Sequence, residues 1–235
     1  MSRELILSSI RRHLRRGPLP PDHRLMLAAR LAQHPRHLIP ARSRLPRPEQ
    51  IALFISQVEK EFGTVVRLSG LEDVPGAIAE YLAQHNLPTR LVAAPHPEIT
   101  ALPWGERPLL EVRFGRAEPS DQVSLQHGFA GIAETGTLML PSGPERPTTI
   151  NLLADTALVL LRASRVVGAY EEAWDLLRAE RSGGNGPLMP RNVMLVTGPS
   201  RSADIEQTLE LGAHGPRRLH VLLIDDDPAA KPDAG

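Results

Sequence analysis

Residues 191–224, RNVMLVTGPSRSADIEQTLELGAHGPRRLHVLLI, hold two apolar runs with a polar stretch between them. Each run is strand length and rich in Val, Leu and Ile. Between them Gly198 and Pro199 turn the chain, and Ser202 can cap a helix reaching about Leu211. Asp204 and Glu206 fall in its first turn, where the positive end of the helix dipole favours acids. Gly212 ends it, and AHGP leads back to RLHVLLI. The stretch therefore reads as strand, helix, strand.

The same alternation extends upstream. PEQIALFISQVEKEFG (48–63) reads as a helix stopped by Gly63, followed by the strand TVVRL (64–68). VPGAIAEYLAQHNL (74–87) is a helix and TRLVAA (89–94) a strand. LLEVRF (109–114), GTLML (136–140) and ALVLLRA (157–163) add strands, with a helix over 169–181. Near-continuous Val/Leu strands alternating with helices define an α/β fold: a mostly parallel sheet with helices on both faces. In such sheets ligands lie beyond the carboxyl ends of the strands.

Residues 1–48 have a different character. They carry eleven arginines and no lysine against Glu4 and Asp22, so the body beyond is correspondingly acidic, since the whole chain is neutral. Ser2 can cap a helix in which Ile6, Ile10 and Leu14 recur every fourth residue, stopped by Gly17 and Pro18. A second helix runs from Asp22 to about Ala32, and HPRHLIPARSRLPRPEQ (34–50) is a Pro-rich linker. The chain thus divides into a basic helical arm and linker (1–48), an α/β domain (49–224) and a solvated acidic tail (225–235). An arm opposite in charge to its body points to docking, on that body, on a sister subunit of a homo-oligomer or on another partner. Nucleic acid is disfavoured, because the arm has no aromatic residue for stacking and no binding motif.

Composition excludes several chemistries. Without cysteine the chain has no disulfide, thiol nucleophile or thiolate-ligated metal centre of its own. Lys60 and Lys231 are the only lysines, and neither lies in a phosphate-loop motif. No apolar run approaches membrane-span length, and the N-terminal stretch mixes charge into its apolar positions, so a cytoplasmic protein is expected. His127, His96 and His220 show no metal-ligand spacing, and Asp225–Asp227 read as a solvated chain end, so no metal site is expected.

Two segments carry candidate chemistry. In 198–216, Gly198 permits a sharp turn, and Ser200 and Arg201 offer donors to a phosphate or carboxylate at a helix N-terminus. An ordinary strand–turn–helix connection accounts for the same residues. His214, beside Gly215, is the best general acid/base or anion-donor candidate; the alternative is a helix C-terminal cap. In GFAGIAETGTLML (128–140), Thr135 and Thr137 flank Gly136 beside Glu134, which suits anion binding through amides and hydroxyls. Small residues also suit tight packing.

Taken together, AETGTLML (133–140), GPSRSADIE (198–206) and GAHGP (212–216) resemble the LUD-domain family, lactate utilization protein C (LutC/YkgG) group. Glu134 stands where that family commonly has Asp, and Ser202 where Thr is usual. The resemblance covers roughly residues 49–224 and implies a fold similar to the NagB/RpiA and CoA-transferase-like type. It implies a role in oxidising L-lactate to pyruvate with iron–sulfur lactate utilization proteins as partners, which would hold the clusters, with no cofactor in this chain. On that view Thr135–Thr137, Gly198–Arg201 and His214 line a pocket for an anionic small molecule. Arg201 pairs with the anion and His214 moves a proton. Two other readings stay open: a self-sufficient isomerase- or CoA-transferase-like enzyme with Glu134 or Asp204 as base, and a non-catalytic scaffold.

Overall fold

The computed structural model describes residues 2–15, 17–36, 38–182, 189–202, 210–212 and 214–227. Two compact units make up the chain, Met1–Ile39 and Pro40–Gly235. The first holds helices α1 (Arg3–His13) and α2 (Pro21–Gln33). Ser2 caps α1, its Oγ accepting from Leu5 N at 3.4 Å, and no residue of either helix is buried. The apolar stripe of α1, Leu5, Ile6, Ile10 and Leu14, is exposed.

The larger unit begins with α3 (Arg47–Lys60), β1 (Thr64–Leu68), α4 (Val74–Gln84) and β2 (Arg90–Ala93). The short α5 (Pro97–Thr100) leads to β3 (Glu111–Phe114), β4 (Val123–His127), β5 (Ala130–Ile132) and β6 (Thr137–Pro141). Then come β7 (Thr156–Arg162), β8 (Val166–Val167), α6 (Tyr170–Ser182) and β9 (Val193–Thr197). Two-residue strands β10 (Arg201–Ser202) and β11 (Glu210–Leu211) precede β12 (Arg218–Ile224).

Six strands form a sheet in the order β1-β12-β7-β4-β2-β3, parallel at every junction. Its centre is buried on both faces, which is why β7 and β12 read as unbroken apolar runs. Alternation sorts their side chains. Leu158, Leu160, Leu222 and Ile224 face Val74, Ile78 and Leu82 of α4. Val159, Leu161, Val221 and Leu223 face Ile51, Phe54 and Val58 of α3.

GTLML and RNVMLVTG do not join this parallel sheet as the alternation predicts. They supply β6 and β9 of a second, four-stranded sheet, β8-β5-β6-β9. The reason is loop length. Only residues 133–136 separate β5 from β6, enough for an antiparallel hairpin but far short of a parallel crossover. Leu138 and Leu140 of this sheet share the α3 core, and Phe129, Ile132 and Met139 on its other face pack against Ala173 and Leu177 of α6.

The expected helix from Ser202 to Leu211 is also corrected at both ends. Ser202 pairs with Glu210, and Arg201 with Leu211, as an antiparallel ladder, so Ser202 is not a helix cap. Asp204, Glu206 and the rest of 203–209 lie outside the described residues. Asp225–Asp227 are no free chain end either. Asp225 pairs with Arg67 (2.8 Å), Asp226 with Arg162 (3.2 Å) and Asp227 with Arg47 (2.8 Å).

Candidate functional site

The residues flagged in the sequence fall into two groups around α3. In the β5–β6 loop, Gly136 has φ +66°, and a Cβ there would lie 2.6 Å from the Gln57–Val58 peptide of α3. The hydroxyls beside it satisfy one another. Thr137 Oγ1 lies 2.7 Å from Thr135 Oγ1, 2.9 Å from Tyr170 Oη and 2.6 Å from Thr197 Oγ1 across the β6–β9 ladder. Glu134 is buried, accepting from Ser43 Oγ (3.1 Å) and from Tyr170 N at the start of α6 (3.4 Å). This carboxylate and Glu172, which accepts from Gly168 N at 2.7 Å, sit at the positive end of α6. The polar groups of the TGT stretch are thus engaged within the fold.

The second group surrounds a cavity of about 290 Å³ between the amino ends of β7 and β12 and the loop after β9. Gly198, Ser200, Arg201, His214 and Gly215 all line it, so five flagged residues do converge. Ser200 N donates to Pro216 O at 2.8 Å, and His214 N to Ser200 Oγ at 3.2 Å, which fastens the two loops together. Gly198 (φ +71°) backs against Glu61 O, 2.3 Å from where a Cβ would stand. Arg201 is held by Glu61 Oε2 at 2.8 Å and stacks over Phe62 at 4.6 Å, while the His214 side chain is exposed. Inside the cavity, Gln126 Oε1 is buried without a hydrogen-bond partner.

The carboxyl ends of the parallel strands carry a constellation that the sequence reading passed over. His127 ends β4, Arg162 ends β7, Asp226 follows β12, and His96 and Glu98 follow β2. His96 pairs with His127 rather than with His220: the two rings stack 3.6 Å apart at 17°. His220 lies near the amino end of β12, stacked on Tyr81 and bonded to Thr64 Oγ1 at 2.7 Å. The available signal was positional, a histidine, an arginine and an aspartate each at the carboxyl end of an apolar run.

Arg146 joins the two histidines. A tight turn, Gly143 to Arg146, closed by reciprocal 3.1 Å backbone bonds, presents its guanidinium. Nε and Nη2 donate to His127 Nδ1 at 3.3 and 3.2 Å, and Nη2 lies 3.1 Å from His96 Nε2. Burial, followed by the Arg146 charge, holds both imidazoles below the usual histidine range, His127 down to about 2. Both rings are neutral at pH 7. Burial likewise lowers the Arg146 pKa. Glu98 Oε1 accepts from Arg162 Nε at 2.8 Å. Its Oε2 lies 3.3 Å from His127 Nε2, off the line a hydrogen bond needs.

Ligand atoms of His96, Glu98 and His127 lie within 4.8 Å of one another, the composition of a metal site. The arrangement suits a metal poorly. Stacked rings project their lone pairs in parallel planes that one ion cannot share, and a guanidinium already stands against both.

Residues 120–224, which contain His127, Arg146, Arg162 and the flagged loops at 133–137 and 198–215, match the family model of the LUD domain. An uncharacterized protein of Neisseria meningitidis serogroup B is 45% identical over 115 residues, 47% of each chain. Lactate utilization protein C of Bacillus subtilis is 35% identical over 116 residues, 49% of this chain and 47% of the relative. The chain thus spans about half the length of the curated relatives it matches. The crystal structure of a DUF162 family protein from Deinococcus radiodurans superposes with a TM-score of 0.55 at 23% identity, covering 77% of this chain and 99% of that one. The fold is therefore that of the DUF162 family protein, and residues 120–224 are similar to the LUD domain.

Proposed function

We propose that this chain is a cytoplasmic subunit of a lactate-utilization system, working with iron–sulfur partner proteins and binding an anionic small molecule. The observation that carries the reading is the 35% identity to a protein named for lactate utilization. Oxidising lactate to pyruvate removes two electrons and two protons, and a chain without cysteine offers no thiolate ligands for a cluster of its own. The electrons pass to partners. The basic arm, with the apolar stripe of α1 exposed beside its arginines, is the surface proposed for docking them. The family resemblance points to the loop cavity at Gly198–Arg201 and His214–Gly215 for the anion.

The test is anaerobic affinity capture of the chain from its native host grown on L-lactate, assayed for lactate-dependent dye reduction. Co-purifying cysteine-rich proteins with that activity support the reading. A clean single protein without activity counts against it and directs attention to sugar phosphates and CoA esters.

A further inference from the structure

Gln126 is 4% exposed, and among the described residues its Oε1 has no hydrogen-bond partner. It lines the cavity of about 290 Å³ that β9 closes over the central strands β4, β7 and β12. Ser124, two residues back on the same face of β4, is buried with an unpartnered Oγ, so the two do not satisfy each other. Asn151 is the second buried amide of this cavity. Its Nδ2 donates to the Met194 thioether at 3.6 Å, a weak acceptor. An orphaned buried acceptor is costly, and the fold keeps one on the wall of an open cavity.

The orphan is a carbonyl oxygen, so whatever meets it must donate. A carboxylate or phosphate there would set acceptor against acceptor. Arg201, the cation lining the same cavity, is held by Glu61 at 2.8 Å and stacks on Phe62 at 4.6 Å. Water suits the interior poorly as well. Leu152, Ala157, Val196 and Leu219 supply apolar wall, whereas each enclosed water needs about two to four polar partners. A flat heterocycle meets both demands. Its faces cover the apolar wall and the Met194 sulfur, and its edge reaches the amides. The glutamine side chain pairs with adenine through two hydrogen bonds, accepting from N6–H and donating to N7. Guanine presents acceptors at both of those positions and would leave Gln126 Oε1 unsatisfied.

We infer that this cavity takes an adenine base, with Gln126 Oε1 accepting from the exocyclic amine and Gln126 Nε2 donating to the ring nitrogen beside it. Its volume is close to that of the smallest ligand sites in proteins and suits a base with its sugar. His214, exposed on the same cavity, marks the rim, where the phosphate of an adenine nucleotide would lie with Ser200 and Gly215. The inference rests on the proposed anion site for this outer part alone, and there it names what carries the anion. The interior, with its two amides, stands independently of lactate utilization.

The experiment is a calorimetric titration of the purified full chain with adenosine, guanosine, adenosine monophosphate and inorganic phosphate, with the side-chain amide resonances of Gln126 followed by NMR. Adenosine should bind saturably, about tenfold or more tighter than guanosine, and shift the Gln126 amide. Gln126→Leu removes the orphan with little change in volume, so it should melt no lower than the parent. It should bind adenosine about tenfold or more weakly. Ala157→Leu, which fills the interior from β7 and removes no polar group, should weaken adenosine binding likewise. Three results overturn the proposal: no adenosine binding at millimolar concentration, guanosine binding as tight as adenosine, or unchanged adenosine affinity in folded Gln126→Leu. Phosphate binding without adenosine binding also overturns it and leaves the anion site standing. Adenosine binding that the monophosphate does not exceed upholds the base site and removes the anion from this cavity.

Discussion

His96 and His127 lie face to face, ring centroids 3.6 Å apart, because β2 and β4 are neighbours in a parallel sheet and each delivers a histidine at its carboxyl end. Packed this way and backed by Arg146, neither ring can take up a proton without bringing two positive charges together. The cost falls on the folded state alone.

Stability should therefore fall in acid. The His127 pKa is lowered to about 2 and that of His220 to about 4, mainly by burial, against about 6.5 in the unfolded chain. With folded values below unfolded ones, the unfolded chain binds more protons, and stability is lost as pH falls below about 6.5. Each histidine contributes about 1.4 kcal/mol per pH unit across its window. Urea denaturation at pH 7.5, 6 and 5 measures the slope, and His220→Phe should remove about a third to a half of it between pH 6 and 5, since the His96 pKa is lowered as well. A flat profile would contradict the burial of both rings.

Gly136→Ala and Gly198→Ala should each destabilise by about 2 kcal/mol or more, since both combine positive φ with backbone in the space of a Cβ, the Gln57–Val58 peptide of α3 at Gly136 and Glu61 O just past α3 at Gly198. Gly143→Ala, where nothing lies within 4 Å, should stay within about 0.5 kcal/mol. Chemical denaturation of the three variants separates a packing role for these glycines from a ligand-contacting one.

Glu134→Asp shortens the side chain that spans Ser43 and the start of α6, and should cost about 1 kcal/mol. Glu134→Ala should cost about 1–3 kcal/mol, because Tyr170 N and the Ser43 hydroxyl lose their acceptor. Hydrogen exchange over Tyr170–Ala173 is the local readout. Unchanged protection there would remove Glu134 from the cap.

Arg47 joins the start of α3 to three places at once: Asp227, and the carbonyls of Ala163 and Val166. Arg47→Met keeps the aliphatic stem and removes the donors, and should lower stability by about 1–3 kcal/mol. Asp227→Asn, which keeps an acceptor oxygen, should cost less. Equal losses in the two variants would mean that the ion pair outweighs the carbonyl contacts.

The parallel sheet was legible because its central strands are buried on both faces and so read as unbroken apolar runs. The second sheet was less so. GTLML is as apolar as any parallel strand, and only the four-residue hairpin loop distinguishes it. Convergence of Ser200, Arg201 and His214 followed from their lying at the two ends of one β9–β12 connection, but that Arg201 is spent on Glu61 depends on where α3 ends. Arg146 was invisible for a similar reason: a charged residue in a turn looks solvated until the fold brings two strand-end histidines beneath it.

β12, the last strand in sequence among the described residues, occupies the middle of the sheet, between β1 and β7. During synthesis β1 has no strand to pair with, and one edge of β7 stays open, until residues 218–224 have left the ribosome. Only β4, β2 and β3 can assemble with β7 before then. Closure of the domain consequently waits for β12, and the exposed edges of two apolar strands are what a chaperone would meet in the interval.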